Sequence, residues 1–243
     1  MTLPPGLREV RLLTFDLDDT LWPCFPTIQA AEQEVHDWFR RAAPPLAEHY
    51  DIDSLRAHRM QLARDLPHLA HDLTALRLRS YRELARRHGL AEEIAEQANA
   101  VFRRARNRVS PYEEVVGELQ RLRRRFVLVA VSNGNAQVER TPLAGLFHHA
   151  FMAEEVGAAK PDPALFEAAS RASGIPLAQA AHLGDDPERD VAAARRAGMH
   201  AIWINREGRD WPEALAPPDL EVPDLRHLSD LLLEEESVSC TRS

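Results

Sequence analysis

Lysine is almost absent from this chain of 243 residues. Of its 30 lysines and arginines, Lys160 is the single lysine. An ammonium is a compact point charge, whereas a guanidinium is a planar fork, and the two do not fit the same pocket. The exception at position 160 therefore predicts a site that requires an ammonium. The alternative is that a coding bias toward arginine spared this position by chance.

Cysteine and long apolar runs are also scarce. The two cysteines, Cys24 and Cys240, are far apart and form no disulfide framework, which favours a reducing compartment. No apolar run approaches the ~20 residues that span a bilayer, and residues 1–6 lack the pattern of a signal peptide. We therefore expect a cytoplasmic protein without a membrane span.

A strongly basic surface is missing as well. The formal net charge of -8 argues against a general nucleic-acid binder, whose surface is usually basic. Hydrophobic residues make up 44% and charged residues 28% of the chain, which is ordinary for a globular protein with a substantial core. The length predicts one large domain, or a domain with an insert.

The hydrophobic pattern is helical from residue 27 to residue 107, and no strand is predicted in this stretch. We predict four amphipathic helices there, at residues 28–42, 55–66, 69–88 and 91–106.

Strands and helices alternate in the remainder of the chain. Apolar runs of the buried kind predict strands at residues 10–15, 126–131, 150–153, 181–184 and 199–204. Helices are predicted at residues 110–124, 162–174, 186–198 and 225–235. The first of these opens with a capping box at Ser110. Such alternation is typical of a doubly wound α/β sheet with right-handed crossovers.

We therefore predict a Rossmann-like parallel sheet with an all-α domain inserted after the first strand. The α/β core comprises residues 1–21 and 109–236, and the helical insert comprises residues 22–108. Residues 237–243 are predicted to form a flexible polar tail.

Polar side chains follow the carboxyl ends of the predicted strands, where open α/β sheets bind their ligands. These residues are Asp16, Asp18 and Thr20, then Ser132 and Asn133, then Lys160, and then Asp185 and Asp186. Carboxylates that converge from two strands repel one another and raise one another's pKa values. A hard divalent cation with oxygen ligands removes that repulsion, and magnesium with phosphate is the usual pairing.

Four short motifs occur in order at these strand ends. They are FDLDDTL at residues 15–21, SNG at residues 132–134, KP at residues 160–161 and GDDPERD at residues 184–190. Each motif is weak alone, but together they resemble the haloacid dehalogenase superfamily, most of whose members are phosphatases. The resemblance covers the whole α/β core and implies a magnesium-dependent phosphatase that forms an aspartyl-phosphate.

The resemblance also implies a role for each matched residue. Asp16 attacks phosphorus and carries the phosphoryl group, while Asp18 protonates the leaving oxygen and later activates water. Ser132 and the Asn133 backbone bind phosphoryl oxygens. Lys160 offsets charge on the nucleophile and the phosphate.

The implied cofactor is Mg²⁺, held by the Asp16 carboxylate, the Asp18 backbone carbonyl and Asp185. Three further residues are predicted to support the site: Asp190, Asp186 and Thr20. An aspartate after a strand is also common as a helix cap or turn former, and this alternative stays open for Asp186.

The helical insert lies between the first and second motifs, where the superfamily places its helical cap. A mobile lid of this kind excludes water and selects substrate, so we expect small phosphorylated metabolites rather than phosphoproteins. Residues 65–74 and 132–137 resemble a bacterial subgroup that hydrolyses flavin mononucleotide (FMN) and the phosphorylated ribitylaminouracil of riboflavin synthesis. Phosphoglycolate and sugar phosphates are alternative substrates.

One face of the predicted helix at residues 69–88 carries His71, Thr74, Arg77 and Tyr81. Either this face meets solvent, or part of it contacts the organic part of the substrate. In the second case Arg77 and Tyr81 stack on a flat ring, and His71 and Thr74 bond hydroxyls or carbonyls.

Three other functions compete with a phosphatase. A haloacid dehalogenase does not need the second aspartate, because halide leaves without a proton, so Asp18 favours phosphate. A phosphomutase needs a cap that retains its intermediate, and the sequence bears no mark of one. A non-catalytic binding module would not need Asp16, Lys160 and Asp185 intact. We expect a monomer or a dimer, with no nucleic-acid or membrane partner.

Overall fold

The computed structural model describes residues 3–234. Within these residues, none of the helices combines the length and the apolar character that a bilayer crossing requires. The predicted tail at residues 237–243 and Cys240 lie outside the described residues.

Six parallel strands form one sheet. They are β1 Leu12–Phe15, β2 Val127–Ser132, β3 His149–Met152, β4 Ala180–Gly184, β5 His200–Ile204 and β6 Leu220–Val222. Their order is β3-β2-β1-β4-β5-β6, and each neighbouring pair is parallel. The chain moves outward from β1 to one edge, crosses to the other side of β1 and moves outward again. This order confirms the predicted doubly wound sheet.

Strand β1 lies in the middle of the sheet, and all four of its residues are buried. Three are apolar, and the hydroxyl of the fourth, Thr14, hydrogen-bonds His182 Nδ1 at 2.9 Å. Leu12 packs in the hydrophobic core on one face of the sheet, and Leu13 and Phe15 pack in the core on the other. The backbone N–H of Asp16 donates to the Leu183 carbonyl at 2.9 Å. Asp16 is therefore held at the carboxyl end of a fully buried strand.

Five helices lie in the chain between β1 and residue 107, and they form the cap. They are α1 Cys24–Ala42, α2 Pro44–His49, α3 Ile52–Asp65, α4 Leu73–Arg87 and α5 Glu93–Arg106. The cap has a hydrophobic core of its own, which includes Phe39, Tyr81, Leu84 and Phe102. The predicted all-helical insertion after the first strand is confirmed.

Helix α4 begins later than the hydrophobic pattern predicts. Residues Pro67–Leu69 form a separate short 3-10 turn. The Asp72 carboxylate then accepts a hydrogen bond from the Ala75 backbone N–H at 2.7 Å, which caps the helix at Leu73. Leucine periodicity runs across this break, so the periodicity did not locate the cap.

Five further helices cover the two faces of the sheet. They are α6 Val115–Leu122, α7 Ala153–Val156, α8 Ala164–Ser173, α9 Ala193–Arg196 and α10 Leu225–Glu234. A π-helical turn, Pro187–Ala192, leads into α9, and the Asp186 side chain caps it by accepting from the backbone N–H groups of Glu188 and Arg189. Turns of this kind are rare and often occur at functional sites.

One expectation for the core was wrong, and one strand was missed. The helix expected from Ser110 begins at Val115, because the Tyr112 backbone N–H donates to the Leu21 carbonyl at 3.0 Å and ties this segment to the chain that leaves β1. Strand β6 was not predicted. It has three residues, with Glu221 exposed between two buried ones, which is too short for a periodic signal.

The core of the cap makes a stability prediction. Phe102 is fully buried and lies under the guanidinium of Arg77, whose Cζ is 3.3 Å from the ring centroid. Phe102→Ala should lower the free energy of unfolding by about 3–5 kcal/mol through the cavity it leaves, measured by urea denaturation. Phe25→Ala is the matched control, since Phe25 is 63% exposed on α1, and it should change stability by less than ~0.5 kcal/mol. Equal effects of the two substitutions would contradict this account of the cap core.

Candidate active site

A cavity of about 280 Å³ opens at the carboxyl ends of β1, β2 and β4. Eight of the residues predicted from the sequence line it: Asp16, Asp18, Ser132, Asn133, Lys160, Asp185, Asp186 and Asp190. The cap contributes Cys24 and Leu73 to the same cavity. The four motifs therefore meet in one place, as their positions at strand ends predict.

Lys160 is 3% exposed and has an acceptor for each of its three ammonium protons. Its Nζ lies 2.7 Å from Asp16 Oδ1, 2.7 Å from Asp190 Oδ1 and 3.0 Å from the Val131 carbonyl. Burial disfavours the charged amine, but the two carboxylates outweigh that effect and raise the pKa of Lys160 above its ordinary value. Lys160 is therefore a permanent internal cation.

The loop that carries Lys160 is fixed by Asn133. The Asn133 side chain accepts a hydrogen bond from the Lys160 backbone N–H at 2.7 Å and donates to the Lys160 carbonyl at 2.8 Å. This paired contact engages both the oxygen and the nitrogen of the Asn133 amide. The loops after β2 and β3 are thereby locked together.

Asp190 is held by three donors in the interior. Besides Lys160, it contacts His182 Nε2 at 3.2 Å and accepts from the Asp186 backbone N–H at 3.0 Å. Burial raises the pKa of Asp190, but Lys160 and His182 overcome this and hold its pKa well below the ordinary value. A Cβ on Gly184 would lie 2.2 Å from Asp190 Cγ, so only glycine allows this carboxylate to sit against the end of β4.

Asp16 and Asp185 carry more negative charge than their surroundings balance. Burial and the carboxylates of Asp190 and Asp18 raise the pKa of Asp16, against the opposing effect of Lys160. Burial, followed by Asp190 and Asp19, raises the pKa of Asp185 to about 7. Ordinary neighbours therefore do not stabilise both ionised carboxylates, and a further cation would.

The positions of these oxygens suit a divalent metal. Carboxylate oxygens of Asp16, Asp185 and Asp190 lie within 4.8 Å of one another. Oxygen-only donors are the set that magnesium prefers. Both oxygens of Asp190 are already hydrogen-bonded, to Lys160, His182 and the Asp186 N–H, whereas Lys160 engages only Oδ1 of Asp16. Asp16 and Asp185 therefore have carboxylate oxygens left to serve as ligands. The donor set fits the predicted cofactor.

Thr20 does not line the cavity, but it lies next to the Asp185 carboxylate. Its hydroxyl is 3.5 Å from Asp185 Oδ1, at the limit of a hydrogen bond. Trp203 Nε1 and Arg209 Nη2 donate to the Asp185 carbonyl at 2.9 and 3.0 Å. The backbone of Asp185 is thus held more firmly than its side chain.

The carboxylate of Asp18 contacts groups that sequence reasoning missed. Arg106 Nη2 lies 2.7 and 2.6 Å from its two oxygens, and Trp22 Nε1 donates to Oδ1 at 2.8 Å. Arg106 stands in the arginine-rich end of α5, which reads as an exposed helix terminus. The available signal was its spacing from Asn99 and Phe102, which places all three on one buried stripe of α5.

The turn after β2 brings the phosphate-binding prediction next to Asp18. The Ser132 hydroxyl is buried and accepts from the Gly134 backbone N–H at 3.0 Å. A Cβ on Gly134 would lie 2.5 Å from Asp18 Oδ2 and 3.2 Å from Ser132 Oγ. A glycine is required because the backbone passes between these two side chains.

The four cap residues predicted to contact the substrate do not line the cavity. Arg77 and Tyr81 are 3% and 2% exposed, so they neither meet solvent nor face the site. Arg77 stacks on Phe102, and Tyr81 packs edge-on against Phe39 at 5.3 Å between ring centroids. The face of α4 that carries Arg77 and Tyr81 therefore packs against α5 and α1 in the interior of the cap.

Thr74 and His71 also lie away from the cavity. The Thr74 hydroxyl donates to Glu154 Oε2 at 2.5 Å and accepts from Arg103 Nη1 at 3.1 Å. Arg103 also donates to Glu154 Oε1 at 2.9 Å. Thr74 is therefore part of a contact between cap and core. His71, three residues earlier in the chain, is half-buried. On α4, Leu73 is the residue that lines the cavity.

Comparisons with known proteins agree with this geometry. The chain is 33% identical to the 5-amino-6-(5-phospho-D-ribitylamino)uracil phosphatase YigB of Escherichia coli, over 93% of this chain and 98% of that protein. It is 36% identical to the phosphoserine phosphatase of Thermus thermophilus, over 90% and 98%. A crystal structure of 2-haloacid dehalogenase from Pseudomonas syringae pv. Tomato is 37% identical with a TM-score of 0.87, over 93% and 99%. Residues 10–198 match the family of haloacid dehalogenase-like hydrolases, and the chain belongs to that family.

Proposed function

We propose that this chain is a phosphomonoester hydrolase that forms an aspartyl-phosphate on Asp16 and acts on small phosphorylated metabolites. The observation that carries the proposal is that Asp16 and Asp18 line one cavity together with Lys160. A nucleophilic carboxylate, a second carboxylate for proton transfer and a fixed cation are the groups that this reaction requires.

The proposed nucleophile is positioned from both sides. The Asp16 backbone is bonded to β4, and its Oδ1 is bonded to Lys160. Oδ2 is thus the oxygen available to attack phosphorus. The charge of Lys160 offsets the negative charge that develops as a phosphoryl group joins a carboxylate.

Asp18 supplies the step that separates phosphate transfer from halide displacement. An alkoxide leaves slowly unless it receives a proton, and water needs a base when it attacks the phosphoaspartate. Asp18 lines the same cavity as Asp16 and is 20% exposed at its side chain. A halide leaves as an anion, so a dehalogenase has no use for this second carboxylate.

Magnesium is the proposed cofactor, held by the Asp16 carboxylate, the Asp18 carbonyl and Asp185. When bound, Mg²⁺ offsets the charge of the carboxylates and of the phosphoryl oxygens that approach them. Asp190 orients this group through Lys160 and the Asp186 backbone. Ser132 and the Asn133 backbone are proposed to bind the remaining phosphoryl oxygens.

The cavity supports a small polar substrate. It holds Arg189, Asp186 and Asp19 on the core side, and Leu73 and Cys24 on the cap side. The two relatives named as phosphatases act on a phosphorylated ribitylaminouracil and on phosphoserine. We propose these two compounds and FMN as the first substrates to test, with 2-haloacids as the competing class because of the related crystal structure.

Leaving-group dependence tests the function. Asp18→Asn should lower kcat for an alkyl phosphate by ~10²–10⁴-fold, and much less for an aryl phosphate whose leaving group needs no proton. The measurement is steady-state kinetics on a series of phosphate esters.

Asp16→Asn is the companion variant. It should lose activity toward every ester, on the order of 10⁴-fold or more, because an amide cannot carry the phosphoryl group. Equal loss for alkyl and aryl esters in Asp18→Asn would exclude the general-acid role. Turnover of 2-haloacids without phosphate release by the wild type would favour the dehalogenase.

Lys160→Arg tests the requirement for an ammonium. A guanidinium does not fit among the two carboxylates and the Val131 carbonyl, so kcat should fall on the order of 10²-fold although the charge is kept. Circular dichroism checks that the variant folds. Arg189→Lys is the matched control, because it exchanges the same two residue types at an exposed position of the same cavity. Wild-type rates in Lys160→Arg would show that the single lysine is a coincidence.

Metal dependence tests the cofactor. Removal of divalent ions with a chelator should abolish turnover, and Mg²⁺ should restore it. Asp185→Asn should raise the Mg²⁺ concentration for half-maximal activity by about tenfold or more, since it removes one charged ligand. Asp186→Asn is the control, because Asp186 lines the same cavity but its side chain caps a helix, and asparagine caps equally well. Full activity in chelator would contradict a metal-dependent phosphatase.

A further inference from the structure

Arg106 reaches across the molecule to the proposed general acid. It is the last residue of α5 and is 1% exposed, and it lies 88 residues after Asp18 in the chain. Its Nη2 contacts both carboxylate oxygens of Asp18, at 2.7 and 2.6 Å. No other cap helix places a charged group on Asp18 among the hydrogen bonds and ion pairs of residues 3–234.

The rest of the Arg106 guanidinium lacks a hydrogen-bond partner in the part of the chain that the structure describes. Nε and Nη1 are buried, and neither makes a hydrogen bond within the described residues. A buried arginine with unused donors is costly to the fold, so a purely structural role would favour a position with more acceptors. Among residues 3–234, Asp18 is the hydrogen-bond and ion-pair partner of this side chain.

Trp22 contacts the same carboxylate. Its Nε1 donates to Asp18 Oδ1 at 2.8 Å, and its side chain is fully buried. Trp22 lies in the segment that joins β1 to the cap, whereas Arg106 lies next to the segment that returns from the cap to the core. Each of the two segments that connect core and cap therefore places one side chain on the Asp18 carboxylate.

The segment after α5 is also hydrogen-bonded to the loop after β2. The Asn107 side chain accepts from the Gln137 backbone N–H at 2.8 Å and donates to Gln137 Oε1 at 3.1 Å. A Cβ on Gly134 would lie 3.1 Å from Arg106 Nη2 and 2.5 Å from Asp18 Oδ2. The guanidinium thus sits between the cap, the proposed phosphate-binding turn and Asp18.

We propose that Arg106 is a positioning residue for Asp18, and that it transmits the position of the cap to this carboxylate. The inference rests on the proposed phosphatase function for its catalytic consequence. Arg106 acts through Asp18 and does not touch the reacting atoms. Because α5 carries the guanidinium, a shift of the cap moves the partner that sets the orientation of Asp18. Trp22 fixes the other side of the same carboxylate.

The first experiment reads the position of Asp18 without turnover. The indole N–H resonance of Trp22 reports its hydrogen bond to Asp18, and a Trp22→Phe variant assigns it among the four tryptophans. Arg106→Gln should shift this resonance toward its position in Asp18→Asn. Arg103→Gln is the matched control, since Arg103 lies on the same helix and bonds the core residue Glu154 at 2.9 Å without touching Asp18. It should leave the resonance in place.

The second experiment reads catalysis. In Arg106→Gln, kcat for an alkyl phosphate should fall about tenfold or more, with a smaller loss for a good aryl leaving group and KM unchanged within about twofold. The double variant with Asp18→Asn should be no slower than Asp18→Asn alone, because both act at one step. Arg103→Gln should affect all esters equally.

The outcomes separate the two proposals. An unmoved Trp22 resonance in Arg106→Gln, or an equal loss for all esters that adds to that of Asp18→Asn, would overturn the positioning role. If Arg106→Gln does not fold, Arg106→Lys replaces it. An amine at this position reaches one carboxylate oxygen, and both readouts should then fall between wild type and Asp18→Asn. Wild type without phosphatase activity would overturn the proposed function, while the Trp22 resonance would still decide the role of Arg106.

Discussion

Converging carboxylates at the end of a parallel sheet repel one another, and the surroundings of the site depend on how that charge is balanced. Lys160 balances part of it by bonding Asp16 and Asp190 from a buried position. This arrangement requires Asn133 to hold the Lys160 backbone and Gly184 to leave room for Asp190. Asp185 remains underbalanced, with its pKa raised to about 7 by burial and neighbouring acids. The carboxylates of the site outnumber its cations. This deficit of positive charge makes the site suited to a divalent cation.

The cap and the core divide the work of the proposed reaction. The core supplies a rigid set of charges, because β1, β2 and β4 fix their own carboxyl ends through the sheet. The cap supplies Leu73 and Cys24 to the wall of the cavity and Arg106 to the second aspartate. We propose that a site built in this way couples chemistry to the position of the cap, since one partner of Asp18 belongs to the cap.

Sequence reasoning located the core motifs because a buried parallel strand and the polar residue after it are both local signals. Asp16 and Asp185 directly follow β1 and β4, and the sheet brings strand ends together whatever lies between them in the chain. Strand β6 lacks such a signal in its three residues. The start of α6 depends on a hydrogen bond from Tyr112 to Leu21, which no local pattern contains.

The cap shows where periodicity stops being informative. The sequence left Arg77 and Tyr81 on a face of α4 that meets either solvent or substrate. In the structure this face packs inside the cap, against Phe102 of α5 and Phe39 of α1. Arg106 was hidden for a different reason, since it lies in an arginine-rich last turn of α5 in which Arg104 is exposed and Arg103 is half-buried. Its partner is distant in the chain, so only the tertiary structure connects them.

The burial of Lys160 has a consequence for the chemistry of the whole surface. The chain has no other lysine, so no ε-amine is exposed to acetyl or ubiquitin transfer, or to amine-reactive labels. Control of this enzyme by lysine modification would have to act on the one amine that already bridges Asp16 and Asp190. Acetylation there would remove the charge that holds the site together, and the ammonium would first have to leave its pocket to react.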